Sequence, residues 1–147
     1  MRTTMKKFIT LAVLLAWVRL AGAEETKSFR LRSSSLPWQA MELPGVPKGL
    51  QQRVLHDQKD KKLISAIVKF PKGYREPRHY HTTCGHSLYI LKGRLRSPEG
   101  DLTPGMFIYS AINERHGPFT AMEETELLFY TDGPFDFIVE DTEPGSK

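Results

Sequence analysis

Along residues 50–140, turn-forming residues recur about every ten positions with short apolar runs between them, a rhythm that suits an antiparallel sandwich or barrel. Pro fixes φ and Gly tolerates positive φ, so Asp57 to Lys61, Pro71 to Gly73, Pro98 to Asp101, Pro104-Gly105 and Asp132-Gly133-Pro134 read as turns. The runs between them are predicted strands: Gln52 to His56, Lys62 to Phe70, Arg78 to His81, Ser87 to Leu91, Met106 to Ser110, Leu127 to Thr131 and Phe135 to Val139. Gly45, Pro47 and Gly49 mark a loop ahead of the first. Beyond residue 23 no stretch sustains a helical apolar period. The expected fold class is therefore all-β, an antiparallel β-sandwich.

The beginning of the chain reads differently. A basic start (Arg2, Lys6, Lys7), an apolar run from Phe8 to Trp17 and the small residues Ala21-Gly22-Ala23 form the pattern of an export signal, with cleavage expected after Ala23. That pattern implies a periplasmic or secreted protein. The apolar run is too short to span a bilayer and Arg19 interrupts it, so no stable membrane anchor is expected. Removing residues 1–23 leaves 124 of the 147 residues, the size of one domain. Residues 24–37 are polar and read as a flexible leader, 38–140 as the domain, and 141–147 as a disordered tail.

The formal charge of +4 comes from Arg2, Lys6, Lys7 and Arg19; without those four, the 21 basic side chains become 17 and match the 17 acidic ones. A balanced chain lacks the basic surface that nucleic acid requires. Cys84 is the single cysteine, so an exported domain must do without an intramolecular disulfide.

Four of the five histidines fall between residues 79 and 116. His79 and His81 are separated by one residue on a predicted strand, which places both rings on one face about 7 Å apart along the backbone. Two such imidazoles can converge on one ion at about 2.1 Å. Thr82 to Gly85 reads as a turn that brings His86 back to face the pair, and His116, after the loop Ala111 to Arg115, can add a ligand from a third strand. Neutral imidazole suits Zn, Cu, Fe and Ni rather than Mg or Ca. A His-x-His pair alone is also common as surface decoration.

The spacing Gly73-x5-His79-x-His81-x4-His86-x6-Gly93 resembles the first motif of the cupin superfamily, G-x5-H-x-H-x(3,4)-E-x6-G, with His86 where that motif carries Glu. The second motif, G-x5-P-x-G-x2-H-x3-N, is similar to the run from Gly105, which keeps His116 but has Ala111, Asn113 and Thr120 at its other fixed positions. The resemblance implies a cupin-type antiparallel β-sandwich or jelly-roll barrel. It further implies one divalent transition metal (Fe, Zn, Mn, Ni or Cu) on His79, His81, His86 and His116, a small-molecule ligand or substrate, and a homodimer. Small cupins of this kind include dioxygenases that cleave diketones or hydroxylated aromatic ketones, and zinc-holding sensor modules. An all-imidazole set cancels none of the ion's charge, so the centre should be a strong Lewis acid that attracts enolate-like oxygen. In the alternative arrangement His86 swings away and three histidines leave open positions.

Leu88 and Ile90 share parity with His86 and are expected to line an apolar pocket beside the metal. Cys84, between two proposed ligands, is either a low-pKa thiolate at the metal, a turn residue aimed elsewhere, or a thiol that pairs with another chain. Tyr80 should point outward, into a dimer contact. Glu76 is an extra ligand, a base or, as expected of a residue in a loop, solvated surface; His56 is expected at the surface, Glu114 and Arg115 at the pocket mouth or in water, and Gly133 to Phe137 in an edge strand without chemistry.

Overall fold

The computed structural model describes residues 27–140; the expected export signal and tail lie outside the described residues. Residues 27–37 carry one 3-10 turn, Ser33–Ser35. Twelve strands follow in chain order: β1 Gln39–Ala40, β2 Gln51–Gln58, β3 Leu63–Phe70, β4 Arg75–Glu76, β5 His79–Tyr80, β6 His86–Lys92, β7 Leu95–Ser97, β8 Gly100–Leu102, β9 Phe107–Ser110, β10 Phe119–Ala121, β11 Thr125–Thr131 and β12 Ile138–Val139.

All pairings are antiparallel, in a six-stranded sheet ordered β1-β2-β3-β11-β6-β9, a four-stranded sheet ordered β4-β10-β7-β8, and a short β12-β5 ribbon. This is the all-β sandwich that the turn rhythm predicts. The period of two is visible in β11, where Thr125, Leu127, Phe129 and Thr131 are buried and Leu128 and Tyr130 exposed. Ala66, Val68, Phe70, Leu88, Ile90, Leu127 and Phe129 of the larger sheet meet Leu95, Leu102, Phe119 and Ala121 of the smaller one in a single apolar core. Each large side chain removed from water there contributes about 1.5–3 kcal/mol.

Several boundaries differ from the predicted ones. The predicted strand Phe135 to Val139 is regular only at Ile138–Val139, since Asp136 bonds His81 and Thr82 instead of a ladder partner. Strands β1, β4, β7, β8 and β10, of two or three residues each, are too short for a periodic signal. His56 is half-buried rather than exposed, because Phe29 packs edge-on against its ring with centroids 5.1 Å apart.

Candidate metal centre

The ribbon and the ends of the two sheets converge on the histidines. His79 lies on β5 and exchanges two backbone hydrogen bonds of 3.0 Å with His116, while β12 covers its other side through Val139. His86 opens β6 between Ser110 of β9 and Thr131 of β11. His81 follows β5 and is fully enclosed at 1 % exposure. His79 and His86 are buried and His116 half-buried.

The four rings are mutual neighbours, with centroids 4.2 Å apart for His79–His116, 4.7 Å for His81–His86, 4.9 Å for His86–His116 and 5.2 Å for His79–His81. Three tautomers are set by backbone carbonyls, which can only accept. His79 Nδ1 donates to Pro77 O at 2.9 Å, His116 Nδ1 to Glu114 O at 3.0 Å, and His81 Nδ1 to Asp136 O. Their Nε2 atoms therefore carry lone pairs, the orientation in which imidazole ligates metal. Those of His81 and His116 are buried without a hydrogen-bond partner, as is Nδ1 of His86.

Ligand nitrogens of His79, His81 and His116 lie within 4.8 Å of one another. Ligands bonded at about 2.1 Å to one ion stand about 3–4 Å apart, so small side-chain shifts close the trio on a metal. His86 is outside that trio, its ring beside those of His81 and His116. Burial, then the neighbouring His116, lowers the His79 pKa to about 3; burial, then His81, His116 and His79, lowers that of His86 to about 2. Burial also lowers His81 and His116. A cluster of neutral, inward-facing, unpartnered imidazole nitrogens is costly in an apolar interior, and a divalent transition ion is the partner that fits it.

The segment after β11 supports this cluster. Asp136 accepts from the Thr82 backbone N–H and hydroxyl and from the Thr83 N–H. Partial burial acts to raise its carboxyl, but these donors win and hold it at about 2. Phe137 stacks on His79 at 4.0 Å and Phe135 lies 5.3 Å from His81. The edge-strand reading of Gly133 to Phe137 is thus replaced by a loop that orients one histidine and walls another. Its sequence signal was the alternation of Phe135 and Phe137 about an Asp.

Cys84 is buried, so it is not exposed for pairing with another chain, and without a metal burial raises its thiol pKa. It forms a second close group with His81 and Asp136, but there the His81 Nδ1 and the Asp136 carboxylate already have protein partners.

Below the rings lies an apolar cavity of about 40 Å³, lined by Leu88, Phe119, Phe129, Phe135 and Phe137 together with His79, His86 and Glu76. Ile90, fully buried, packs in the core beyond the cavity wall. Glu76 corrects the surface expectation: it is 7 % exposed, and burial raises its carboxyl pKa to about 8. Beside His116, which does not line the first cavity, a second hollow of about 230 Å³ is lined by Glu114, Arg115, Tyr109 and Glu99. Glu114 caps the Ala111 N–H, and Arg115 pairs with Glu140 at 3.0 Å and covers the ring of Tyr80, which is half-buried beneath it.

The profile of the ChrR cupin-like domain family matches residues 26–136. The chain belongs to that family. As a whole, this cupin-like domain has the shape of the acetylacetone dioxygenase from Acinetobacter johnsonii, with a TM-score of 0.62 and 12 % identity over 99 % of this chain and 88 % of that one. It is also similar to a chain in the crystal structure of Rhodobacter sphaeroides SigE in complex with the anti-sigma ChrR, with a TM-score of 0.54 and 17 % identity over 69 % of this chain and 52 % of that one. Among curated proteins it is 34 % identical over 90 residues to the DNA damage-repair/toleration protein DRT102 of Arabidopsis thaliana. The match covers 56 % of the cupin-like domain's chain and 28 % of that relative's length. Among the described residues no helix is long and apolar enough to cross a membrane.

Proposed function

We propose that the chain is an exported, metal-dependent enzyme acting on a small chelating substrate, by dioxygenase-like cleavage of a diketone or phenolic ketone. The observation that carries this reading is the trio of carbonyl-fixed imidazoles whose ligand nitrogens lie within 4.8 Å of one another, with His79 also lining an apolar cavity. The ion would sit on His79, His81 and His116, with His86 as fourth ligand or as a neighbour leaving a position open. Bound there, it supplies a Lewis acid that orients a chelating enolate and stabilises charge growing on its oxygen. The protein's own part is positional: Pro77, Asp136 and Glu114 carbonyls hold the rings, and Phe135, Phe137 and Phe129 keep water from the substrate.

Export rests on residues 1–23 and belongs to the same proposal. The test is anaerobic Fe(II) loading followed by oxygen-uptake measurements on a panel of diketones and phenolic ketones. Uptake matched by substrate loss, and abolished in His81→Ala, is expected. A protein that holds zinc tightly and consumes no oxygen with any substrate contradicts the enzyme reading. It would favour the second one, a non-catalytic envelope sensor, which the likeness to the ChrR-containing complex supports.

We also propose that a second copy of the chain covers the outer face of the larger sheet. Phe107, Tyr89 and Leu128 stand opposite one another across β9, β6 and β11, with Tyr109 and Tyr130 in the next row. With Leu91 and Met106 they expose on the order of 600 Å² of apolar and aromatic surface. That is at the upper end for a monomer and close to the roughly 800 Å² per partner of a stable interface.

A further inference from the structure

Glu76 is left without a role by the histidine cluster. It sits on β4 opposite Phe119 of β10, and the strand's alternation sends Arg75 to solvent and Glu76 into the cavity. Among the described residues no side chain or backbone group bonds to its carboxyl. Apart from His79 and His86, the groups around the cavity are alkyl, thioether and aromatic. A carboxyl buried among such groups with nothing to bond is destabilising, whereas a hydrocarbon side chain of the same volume would be stabilising there. The sequence places it three residues before His79, so the two are at most about 10 Å apart along the chain, within reach of one short molecule.

We propose that Glu76 is the polar anchor of the cavity: it hydrogen-bonds a hydroxyl or carbonyl group at the far end of a small ligand whose near end meets the histidines. This rests on the reading of those histidines as a metal centre. The class of ligand follows from the lining. Its body is apolar and no more than about two carbons long, as the 40 Å³ hollow requires, its near end is a chelating oxygen pair outside that hollow, and its far end is polar and uncharged. An anionic far end is rejected, because among the described residues no cationic side chain lines the cavity. Burial raises the Glu76 carboxyl pKa to about 8 in the metal-free protein; a protonated carboxyl offers that group both a donor and an acceptor, and an ionised one still accepts from a hydroxyl.

Two hydroxamates of equal size separate the anchor from the metal. Butanehydroxamate ends in a methyl and 3-hydroxypropanehydroxamate in a hydroxyl, while acetohydroxamate is the chelating head alone. Their dissociation constants are read from the visible spectrum of the cobalt-loaded full chain in the wild type, Glu76→Gln and Glu76→Met. The wild type is expected to favour the hydroxyl ligand by about tenfold, Gln to keep part of that preference, and Met to lose or reverse it. Acetohydroxamate should bind all three alike. Equal hydroxyl-to-methyl ratios in wild type and Glu76→Met, with acetohydroxamate bound normally, overturn the anchor and leave the metal centre standing. Failure of acetohydroxamate to bind the wild type overturns both. Should Glu76→Met not fold, a wild type that favours the methyl ligand overturns the anchor by itself.

Discussion

At His81 the constraints of the site are most concentrated: the ring is enclosed, its Nδ1 is tied to the Asp136 carbonyl, and its Nε2 has no protein partner. His81→Ala should therefore lower metal affinity by well over 100-fold in equilibrium dialysis, because it removes a ligand rather than a support. Asp136→Ala should act indirectly. Freeing the Thr82 and Thr83 donors costs about 1.5–3 kcal/mol in thermal or denaturant unfolding, and loosening the carbonyl on His81 weakens metal binding about 10-fold or more.

The metal-free protein has a pH dependence with two limbs. His79 and His86 have folded pKa values of about 3 and about 2, below the ordinary 6.5, so the unfolded chain binds protons first and stability is lost as pH falls from about 6.5. Glu76 runs the other way: its folded value of about 8 lies above the ordinary 4.5, so its contribution is lost as pH rises from 4.5 through 8. Melting temperatures across pH 4–9 should peak at about pH 6.5, below which two histidines outweigh one Glu76 and above which Glu76 alone acts, and Glu76→Gln should flatten the alkaline limb. The histidines were legible because ligand spacing is written in the chain. Glu76 was not, since a two-residue strand carries no periodicity to tell its inner face from its outer one.

At the scale of elements, the turns carried most of what could be read. Gly93, the last fixed position of the first motif, has φ of +82° in the connection from β6 to β7, and a Cβ there would collide with the Glu124 carbonyl and lie 2.6 Å from Thr125 Oγ1. Thr125 Oγ1 in turn accepts the Arg94 N–H at 2.9 Å. Gly93→Ala should thus destabilise the domain by about 2–4 kcal/mol in denaturant unfolding, combining backbone strain with a clash that rigid strands cannot relieve. The long strands β3, β6 and β11 were visible from their apolar runs. The loop after β11 reads as a strand because Phe135 and Phe137 alternate as a strand would, whereas Asp136 between them spends its carbonyl on His81 and its carboxylate on Thr82 and Thr83 instead of pairing in a ladder.

For the whole molecule, the sandwich was set by the rhythm of turns, whereas its neighbours in an assembly were not, since exposed aromatics in a sequence look the same as buried ones. If the outer face of β6, β9 and β11 joins two copies, light scattering should give twice the chain mass at micromolar concentration. Tyr89→Lys with Phe107→Lys should return it to one chain without loss of bound metal.

The most direct test of the account is X-ray absorption at the zinc edge of the stoichiometrically loaded chain. The account predicts three or four imidazole nitrogens at about 2.0–2.1 Å with their outer-ring scattering and no sulfur. A sulfur at about 2.3 Å from Cys84, or fewer than three imidazoles, would contradict it.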